Sequence, residues 1–299
     1  MKTLRRAIAT ACVALFTAQG AAAADAGKPP VAAVDWRDQV IYFVMIDRFD
    51  DGDPSNNDQG AGEYDPASGA HYSGGDLAGV QRRLDYIRGL GATAVWITPP
   101  VAHQWWDGKV GYGGYHGYWA SDFSKVDPHF GSLAGYRALA DALHARDMQL
   151  VQDIVVNHTG NFFLYDDKRD PADPAAGFSV NTRSRPMTAP TQSPFSMNDP
   201  RRAADRDAGI YHWTPPIGDF TERRQELTYA LADLDDLNTE SPLVRRALRE
   251  SYGHWIREVG VDAFRVDTAF HVPADYFRDF LHAADPTAPG VLAVAKAAG

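Results

Sequence analysis

Two apolar runs of the sequence end in side chains that can do chemistry. The first run delivers Asp153 and, five residues later, His158, whereas the second delivers Arg265, Asp267 and His271. Side chains two residues apart on a strand point to the same face, so Arg265 would lie beside Asp267 and hold it ionised. An ionised carboxylate at a strand end can act as a nucleophile, and the two histidines can donate hydrogen bonds to substrate hydroxyl groups. A single Arg-x-Asp pair is more often a structural ion pair, but two such strand ends in one chain favour a site.

The elements that must position these side chains alternate between strand and helix. Runs of β-branched and aromatic residues predict strands at 40–49, 94–98, 149–156 and 261–266. Helical spacing of apolar residues predicts helices at 77–90, 133–146, 242–258 and 274–283, with an aromatic, glycine-rich loop before residue 130. This alternation predicts an α/β fold with a parallel sheet. The polar segment at 158–238 breaks the rhythm and is too long for a structureless loop, so we predict an inserted subdomain there.

About four β/α units with an insertion after strand 3 predict a (β/α)8 TIM barrel that is incomplete in this chain. Chemistry in such barrels lies at the C-terminal ends of the strands, which is where the side chains above fall. The last segment allows two interpretations. Val291–Val294 is a fifth strand with Lys296 at its end, or the whole segment is a helix that precedes that strand. We favour the helix because the segment is rich in alanine.

An aromatic block and an oxygen-rich loop add two further candidate sites. Gly114–Trp119 presents His116 and Tyr118. Further aromatic residues come shortly before this block, namely Trp105, Trp106 and Tyr112. These three could extend an aromatic binding surface or simply pack the loop. The second segment offers oxygen ligands at short spacing, which suits Ca²⁺, from Asp51, Asp53, Asn56 and Asn57. It lacks the bidentate Glu of an EF-hand, and the plainer interpretation is a solvated Asx-rich turn.

The start of the chain and its charge limit where the protein works and what it binds. Residues 1–24 combine a positive start, an apolar run and an alanine-rich end, the pattern of a cleaved signal peptide, so we expect export to the periplasm or outside the cell. The single cysteine, Cys12, lies in this segment, which leaves no disulfide framework. The formal charge of −10 becomes −13 once Lys2, Arg5 and Arg6 are removed, which argues against a nucleic-acid partner. We expect no membrane association after cleavage, because no other stretch is long and apolar enough to span a bilayer.

Three blocks together resemble the signature segments of the α-amylase family of glycoside hydrolases: GYHGYW at 114–119, DIVVNH at 153–158 and FRVDTAFH at 264–271. The resemblance implies an enzyme that cleaves α-1,4-glucosidic bonds in starch-like glucans with retention at the anomeric carbon. It implies that Asp267 is the nucleophile, with Arg265 beside it. It also implies that Tyr118 stacks on the sugar at the cleavage site, and that substrate is bound by His116, Tyr118, Asp153, His158 and His271.

The resemblance further implies Ca²⁺ at two sites. In the first loop, Gly74 and Asp76 would complete the shell begun by the four residues named above. A second site would lie between barrel and insertion, with Asn157, Asp236 and the backbone carbonyl of His271 as ligands. Asp233 competes with Asp236 for this place. We prefer Asp236 because residues 237–240 run directly into the following helix.

The sequence also departs from the family pattern. Phe270 stands where many members carry Lys, and we find no match for the general-acid Glu. We therefore expect a signal peptide at 1–24, a first half of the catalytic barrel at 25–157, the inserted subdomain at 158–238, and a truncated continuation at 239–299. Such an N-terminal fragment would be inactive and poorly folded alone, and a monomer when complete. Two other functions stay open: a transglycosylase similar to cyclodextrin glucanotransferases, and a non-catalytic glucan-binding relative.

Overall fold

A four-stranded parallel sheet forms the centre of the molecule. The structure, a computed structural model, describes residues 34–298. The sheet has the strand order β1-β2-β7-β11, and its register pairs Arg265 on β11 with Asp153 on β7. The strands are β1 (Ile41–Val44), β2 (Ala94–Ile97), β3 (Val101–His103), β4 (Trp106–Asp107), β5 (Tyr112–Gly113), β6 (Ala120–Val126), β7 (Gln149–Val155), β8 (Phe163–Tyr165), β9 (Phe178–Val180), β10 (Ser184–Arg185) and β11 (Ala263–Asp267). The parallel sheet predicted from the alternating pattern is confirmed.

Eight α-helices accompany this sheet among the described residues, and some of them connect its strands. They are α1 (Leu77–Arg82), α2 (Leu84–Gly89), α3 (Leu133–His144), α4 (Ala203–Ala208), α5 (Arg223–Thr228), α6 (Pro242–Val259), α7 (Ala274–His282) and α8 (Val291–Ala298). The largest, α6, has Pro242 in its first turn and ends at Gly260, whose φ of +81° is the left-handed conformation common at helix ends. It buries Tyr252 and Trp255 in the core, and Trp255 Nε1 donates to the Phe123 carbonyl at 2.8 Å.

The predicted helix at 77–90 is two helices in the structure. Asp76 caps the first, because its side chain accepts from the Gly79 N–H at 2.6 Å. At Arg83 the backbone has φ −98° and ψ 6°, which breaks the helical path between α1 and α2. The apolar spacing continues across this break, with Leu84 and Ile87 fully buried, so spacing alone did not reveal it.

The prediction of a plain loop between β2 and residue 130 was wrong. This stretch contains β3 and β6, which pair antiparallel, and the short strands β4 and β5. The β3–β6 pairing joins residues far apart in sequence and shifts register twice, so local alternation does not show it. The stretch is therefore a small structured layer that follows the C-terminal end of β2.

The segment at 158–238 forms its own short elements between β7 and α6. Strands β8 and β9 make a hairpin, and β10 pairs with β4 from the stretch after β2. Aromatic residues fill its interior, with Phe163 and Trp213 rings 5.2 Å apart. The boundaries that we predicted for the signal peptide, the barrel and the inserted subdomain stay predictions, and residues 1–24 lie outside the described residues.

The last segment is helical, so the alternative with a fifth strand at Val291–Val294 is wrong. Helix α8 buries Val291 and Val294 against its neighbours α6 and α7. Gly290 lets the chain pass close to the end of α7, because a Cβ there would lie 2.5 Å from the Leu281 backbone. Lys296 is consequently a helical residue and does not stand at a strand end.

Within residues 34–298, helices that could cross a membrane are absent.

Candidate active site and metal-binding loops

Arg265 joins the two strand-end carboxylates at the C-terminal edge of the sheet. Its Nη1 donates to Asp267 Oδ1 at 2.6 Å and to Asp153 Oδ1 at 3.1 Å. The parallel register places Arg265 directly opposite Asp153, and Asp267 lies two residues further along the same face. The side chain of Asp267 is 23% exposed whereas that of Asp153 is fully buried, so Asp267 is the carboxylate that a ligand can reach.

Asp153 is held from three directions. Besides the Arg265 contact, its Oδ2 accepts from Trp96 Nε1 and from the Tyr118 hydroxyl, each at 2.9 Å. Burial raises the pKa of Asp153 to about 6, and Arg265 and Tyr118 oppose that rise. Its oxygens are committed to these donors, so Asp153 can orient Arg265 and Tyr118 but is poorly placed to attack a substrate.

Tyr118, which donates to this carboxylate, also contacts His116. The Tyr118 ring lies 5.6 Å from the His116 ring, and the Tyr118 N–H donates to His116 Nδ1 at 3.1 Å. Nδ1 is therefore an acceptor, and a neutral imidazole carries its proton on Nε2. Burial lowers the pKa of His116 to about 3, so the ring is neutral at physiological pH and can donate a hydrogen bond from Nε2.

His158 has a buried nitrogen with no partner in the described part of the chain. Asn157 Nδ2 donates to its Nδ1 at 3.3 Å, and its Nε2 is without a hydrogen bond. Burial lowers the pKa of His158 to about 4, although the charge of Asp267 opposes this. A neutral ring whose Nε2–H lies near the Asp267 carboxylate and the Tyr118 backbone can donate a hydrogen bond to a ligand.

His271, another predicted binding residue, is hydrogen-bonded to the inserted segment. Its Nδ1 donates to the Glu226 carbonyl in the inserted segment at 3.0 Å. The turn before it begins at Thr268, a β-branched residue with φ 51° and ψ 25°, which is a strained conformation for such a side chain. This turn ends β11 directly after Asp267 and carries the chain towards the inserted segment.

Reasoning from the sequence missed Trp96. Besides its bond to Asp153, the Trp96 ring lies 5.1 Å below the Arg265 guanidinium and 4.4 Å from the Phe43 ring. The available signal was a polar group, the indole N–H, on the residue one position before the end of strand β2. Polar groups near strand ends also revealed Asp153 and Arg265. Trp105 instead packs the loop, because its Nε1 donates to the buried Asp127 Oδ2 at 2.9 Å.

The first oxygen-rich loop has the donor set expected of a Ca²⁺ site. Three of its oxygens are buried and have no hydrogen-bond partner among the described residues: Asp51 Oδ1, Asn56 Oδ1 and Asn57 Oδ1. Gly74, with φ +96°, lets the backbone approach this loop, since a Cβ there would lie 2.6 Å from Asn57 Nδ2. Buried oxygens without hydrogen bonds lower the stability of the fold, so a cation bound by all three would remove this destabilisation. These residues fit the ion.

Two of the predicted ligands of this loop are already engaged. Asp76 accepts from four donors, the N–H groups of Gly52, Asp53 and Gly79 and the Asn56 side chain. Asp53 Oδ1 accepts from the Ser55 N–H and hydroxyl. Asp76 thus organises the loop through hydrogen bonds, and the roles of Asp53, Gly74 and Asp76 as ligands stay predictions. In the part of the chain that the structure describes, clusters of three acidic, His or Cys side chains suited to a metal are absent, so carboxamide oxygens are essential to this fit.

The second predicted calcium site brings Asn157 and Asp236 together. Both are buried, and the Leu237 N–H donates to the Asn157 carbonyl at 2.8 Å. Within the described residues, Asp236 Oδ1 makes no hydrogen bond that meets the geometric criteria, whereas Oδ2 accepts from His212 Nδ1 at 2.5 Å. Asp233 lies elsewhere, in an ion pair with Lys109 at 2.7 Å. Burial raises the pKa of Asp236 to about 7, against the effect of His212.

Comparison with known proteins agrees with this geometry. The family model described as "Alpha amylase, catalytic domain" matches residues 43–288. The chain is 32% identical over 256 residues to a cyclomaltodextrin glucanotransferase of Klebsiella oxytoca, which covers 85% of this chain and 36% of the relative. It is 33% identical over 285 residues to the periplasmic alpha-amylase of Escherichia coli (strain K12), which covers 81% of this chain and 42% of the relative.

A solved structure, that of an alpha-amylase from Geobacillus thermoleovorans complexed with acarbose, matches with a TM-score of 0.61 and 31% identity. The match covers 87% of this chain and 45% of that one. The chain therefore spans less than half the length of each of these three relatives.

Proposed function

Because the chain belongs to the α-amylase family of glycoside hydrolases, whose fold is a (β/α)8 TIM barrel, we propose that it carries the nucleophile half of a retaining α-glucan site. The observation that carries this proposal is the contact of Arg265 Nη1 with both Asp267 and Asp153 at neighbouring strand ends. Asp267, the more exposed carboxylate, is the nucleophile in this proposal.

In the retaining reaction, an Asp267 oxygen attacks the anomeric carbon and the bond from that carbon to the leaving-group oxygen breaks. Arg265 donates a hydrogen bond to Asp267 and so fixes the orientation of the attacking carboxylate, and its own orientation is fixed by Asp153. A proton must reach the leaving oxygen from a second carboxyl group, about 5–5.5 Å from the nucleophile. We assign this proton donor to no residue of this chain, because Asp153 is committed to its three donors.

The substrate in this proposal is an α-1,4-linked glucan. The Tyr118 ring would stack on the apolar face of a glucose unit at the cleavage position. His116 and His158 are neutral and have Nε2–H groups for sugar hydroxyls, and His158 Nε2 has no partner in the described part. His271 would contact the substrate from the edge of the inserted segment.

Transfer to another sugar is the second candidate, since the glycosyl group on Asp267 can be released by water or by a sugar hydroxyl. The similarity to a cyclomaltodextrin glucanotransferase supports it. The products formed from a long glucan distinguish hydrolysis from transfer. Cyclic products indicate transfer, because only intramolecular transfer gives rings.

Calcium is part of the proposal. Asp51, Asn56 and Asn57 would hold one ion in the first loop, and Asn157 with Asp236 would hold another next to the inserted segment. A bound Ca²⁺ supplies charge that pins loops together and takes no part in bond breaking. We also propose export, which the initial segment of the sequence and the similarity to a periplasmic amylase support.

The test uses α-maltosyl fluoride, because fluoride leaves without protonation and the assay therefore does not depend on a general acid. The inactivity expected from the sequence concerns glucans, whose cleavage needs the general acid. With the fluoride we expect the purified chain to release fluoride and to form the α-anomer of the product first, as seen by proton NMR. Asp267→Asn should lower the rate by about 10³-fold or more. Asp219→Asn, an exposed aspartate in the inserted segment, is the control and should keep the wild-type rate. Release by the wild type that is equally fast in Asp267→Asn, or a β-anomer as first product, would contradict the proposal.

A further inference from the structure

Arg48 lies at a junction between two loops that the proposed function treats separately. It ends the short 3-10 turn Ile46–Arg48 after β1. Its Nη1 donates to Ser73 Oγ at 2.7 Å, and its Nη2 donates to the His71 carbonyl at 2.6 Å. The guanidinium thus fixes residues 71–73, which directly precede the candidate calcium loop residue Gly74.

The other side of the same guanidinium covers an aromatic ring. Arg48 Cζ lies 3.7 Å from the centroid of Tyr115, which is a close cation–π contact. Tyr115 is only 8% exposed, and its hydroxyl is hydrogen-bonded to that of Tyr112. Tyr115 immediately precedes His116, and their rings lie 5.5 Å apart. The segment at 112–119 carries the proposed sugar-binding residues His116 and Tyr118. Its position therefore depends on the Tyr115 ring that Arg48 covers.

The neighbouring residue Asp47 completes the junction. Its carboxylate is 2% exposed, accepts from the Ser73 and Gly74 N–H groups and pairs with Arg48 Nε at 2.8 Å. The Asp47–Arg48 dipeptide consequently holds the loop at 71–74 with backbone hydrogen bonds and the segment at 112–119 with a planar stack.

We propose that Arg48 is a positioning residue for glucan binding, which acts by clamping Tyr115, and with it the segment at 112–119, against the loop at 71–74. The inference rests on the proposed function for the identity of the ligand. The planar fork of arginine is required, because lysine can supply the charge but cannot stack on the ring and donate to two carbonyl or hydroxyl oxygens in fixed directions. Arg48 itself needs no contact with the sugar.

The test compares Arg48→Lys with Arg146→Lys in the full chain. The two arginines are matched, because their side chains are 26% and 29% exposed and each pairs with an aspartate at 2.8 Å. We expect Arg48→Lys to raise KM for α-maltosyl fluoride about tenfold with kcat within about twofold, since binding is lost and the nucleophile is untouched. Arg146→Lys should leave both constants within about twofold. Equal KM values for wild type and Arg48→Lys would overturn the inference.

Hydrogen–deuterium exchange gives a second readout that does not require activity. Amide exchange at 112–119 should become about tenfold faster in Arg48→Lys, with α6 unchanged. Tyr115→Leu, which removes the ring but leaves Arg48, should give the same local change, and the double variant should be no worse than either single one. Uniformly faster exchange throughout the chain, or additive effects of the two substitutions, would overturn the inference. If the wild type releases no fluoride, the proposed function fails, and the exchange data still decide the role of Arg48.

Discussion

Tyr118 and Asp153 are joined by a 2.9 Å hydrogen bond, although one belongs to the structured stretch after β2 and the other to the end of β7. The phenol donates, so the carboxylate that orients Arg265 also fixes the ring proposed to stack on the substrate. The bond therefore connects the chemistry at β11 with the binding surface above it, and breaking it should affect both.

Tyr118→Phe should reduce kcat/KM for α-maltosyl fluoride by about tenfold, because a hydrogen bond to a charged acceptor is worth about 1.5–3 kcal/mol. Tyr118→Ala should reduce it by about 10²-fold or more, because the stacking face is lost as well. Tyr86→Phe, an exposed tyrosine on α2, is the control and should not change the rate. Equal activities of Tyr118→Phe and Tyr118→Ala would show that the ring does not bind sugar.

Trp96→Phe keeps an aromatic ring but removes a donor to the buried Asp153 carboxylate. We expect the free energy of unfolding at pH 7.5 to fall by about 1–3 kcal/mol, the cost of leaving a buried acceptor underpaired. Burial already raises the pKa of Asp153 to about 6, so the cost should shrink at pH 5, where the carboxyl group is mostly protonated. Urea denaturation at the two pH values measures this, with Trp106→Phe as the control. A loss that is the same at both pH values would mean that the Trp96 bond to Asp153 is not responsible.

Stability should decline on both the acid and the alkaline side because of a buried trio, Glu63, Asp127 and His129. Burial lowers the pKa of His129, but its hydrogen bonds to Asp127 and Glu63 outweigh this and raise it to about 9. A raised pKa stabilises the fold fully below 6.5, and this contribution is lost as the pH rises through 9. Burial raises the pKa of Glu63, but hydrogen bonds from His129 and Gln59 bring it to about 2, so its contribution is lost as the pH falls from 4.5 towards 2.

His129→Gln tests this alkaline loss. The wild type should lose roughly 1–3 kcal/mol of unfolding free energy between pH 6.5 and 9.5. The variant should be less stable at pH 6.5 and should show a flatter dependence above it. Parallel pH dependences of wild type and variant in urea denaturation would count against the buried imidazolium.

Calcium removal should lower the unfolding midpoint, and the first loop should account for part of the effect. When free Ca²⁺ exceeds its Kd by 100-fold, binding adds about 2.7 kcal/mol to the free energy of unfolding. Asn57→Ala removes one of the three unpaired buried oxygens and should weaken the response, whereas Asn198→Ala, a buried asparagine of the inserted segment, should not. Thermal unfolding with EGTA, Ca²⁺ or Mg²⁺ gives the measurement. A Ca²⁺ response that is identical in Asn57→Ala and wild type would exclude this loop as the site.

The sequence by itself determined the four parallel strands, the helices between them, and the strand ends that carry Asp153, Arg265 and Asp267. These follow from local information, because apolar periodicity specifies an element and the end of a parallel strand specifies where a polar side chain lies. The family was also readable, since three short blocks carry its residues and a family model matches residues 43–288.

The tertiary structure alone decided which of these side chains are available and how they are held. The β3–β6 pairing, the break at Arg83, the part of Trp96 in holding Asp153 and the clamp made by Arg48 all depend on contacts between residues distant in sequence. Packing also left Asp267 reachable while it buried Asp153, two carboxylates that look alike in the sequence. Local patterns do not contain this difference, because the burial and hydrogen bonding of a side chain are set by the elements that pack around it.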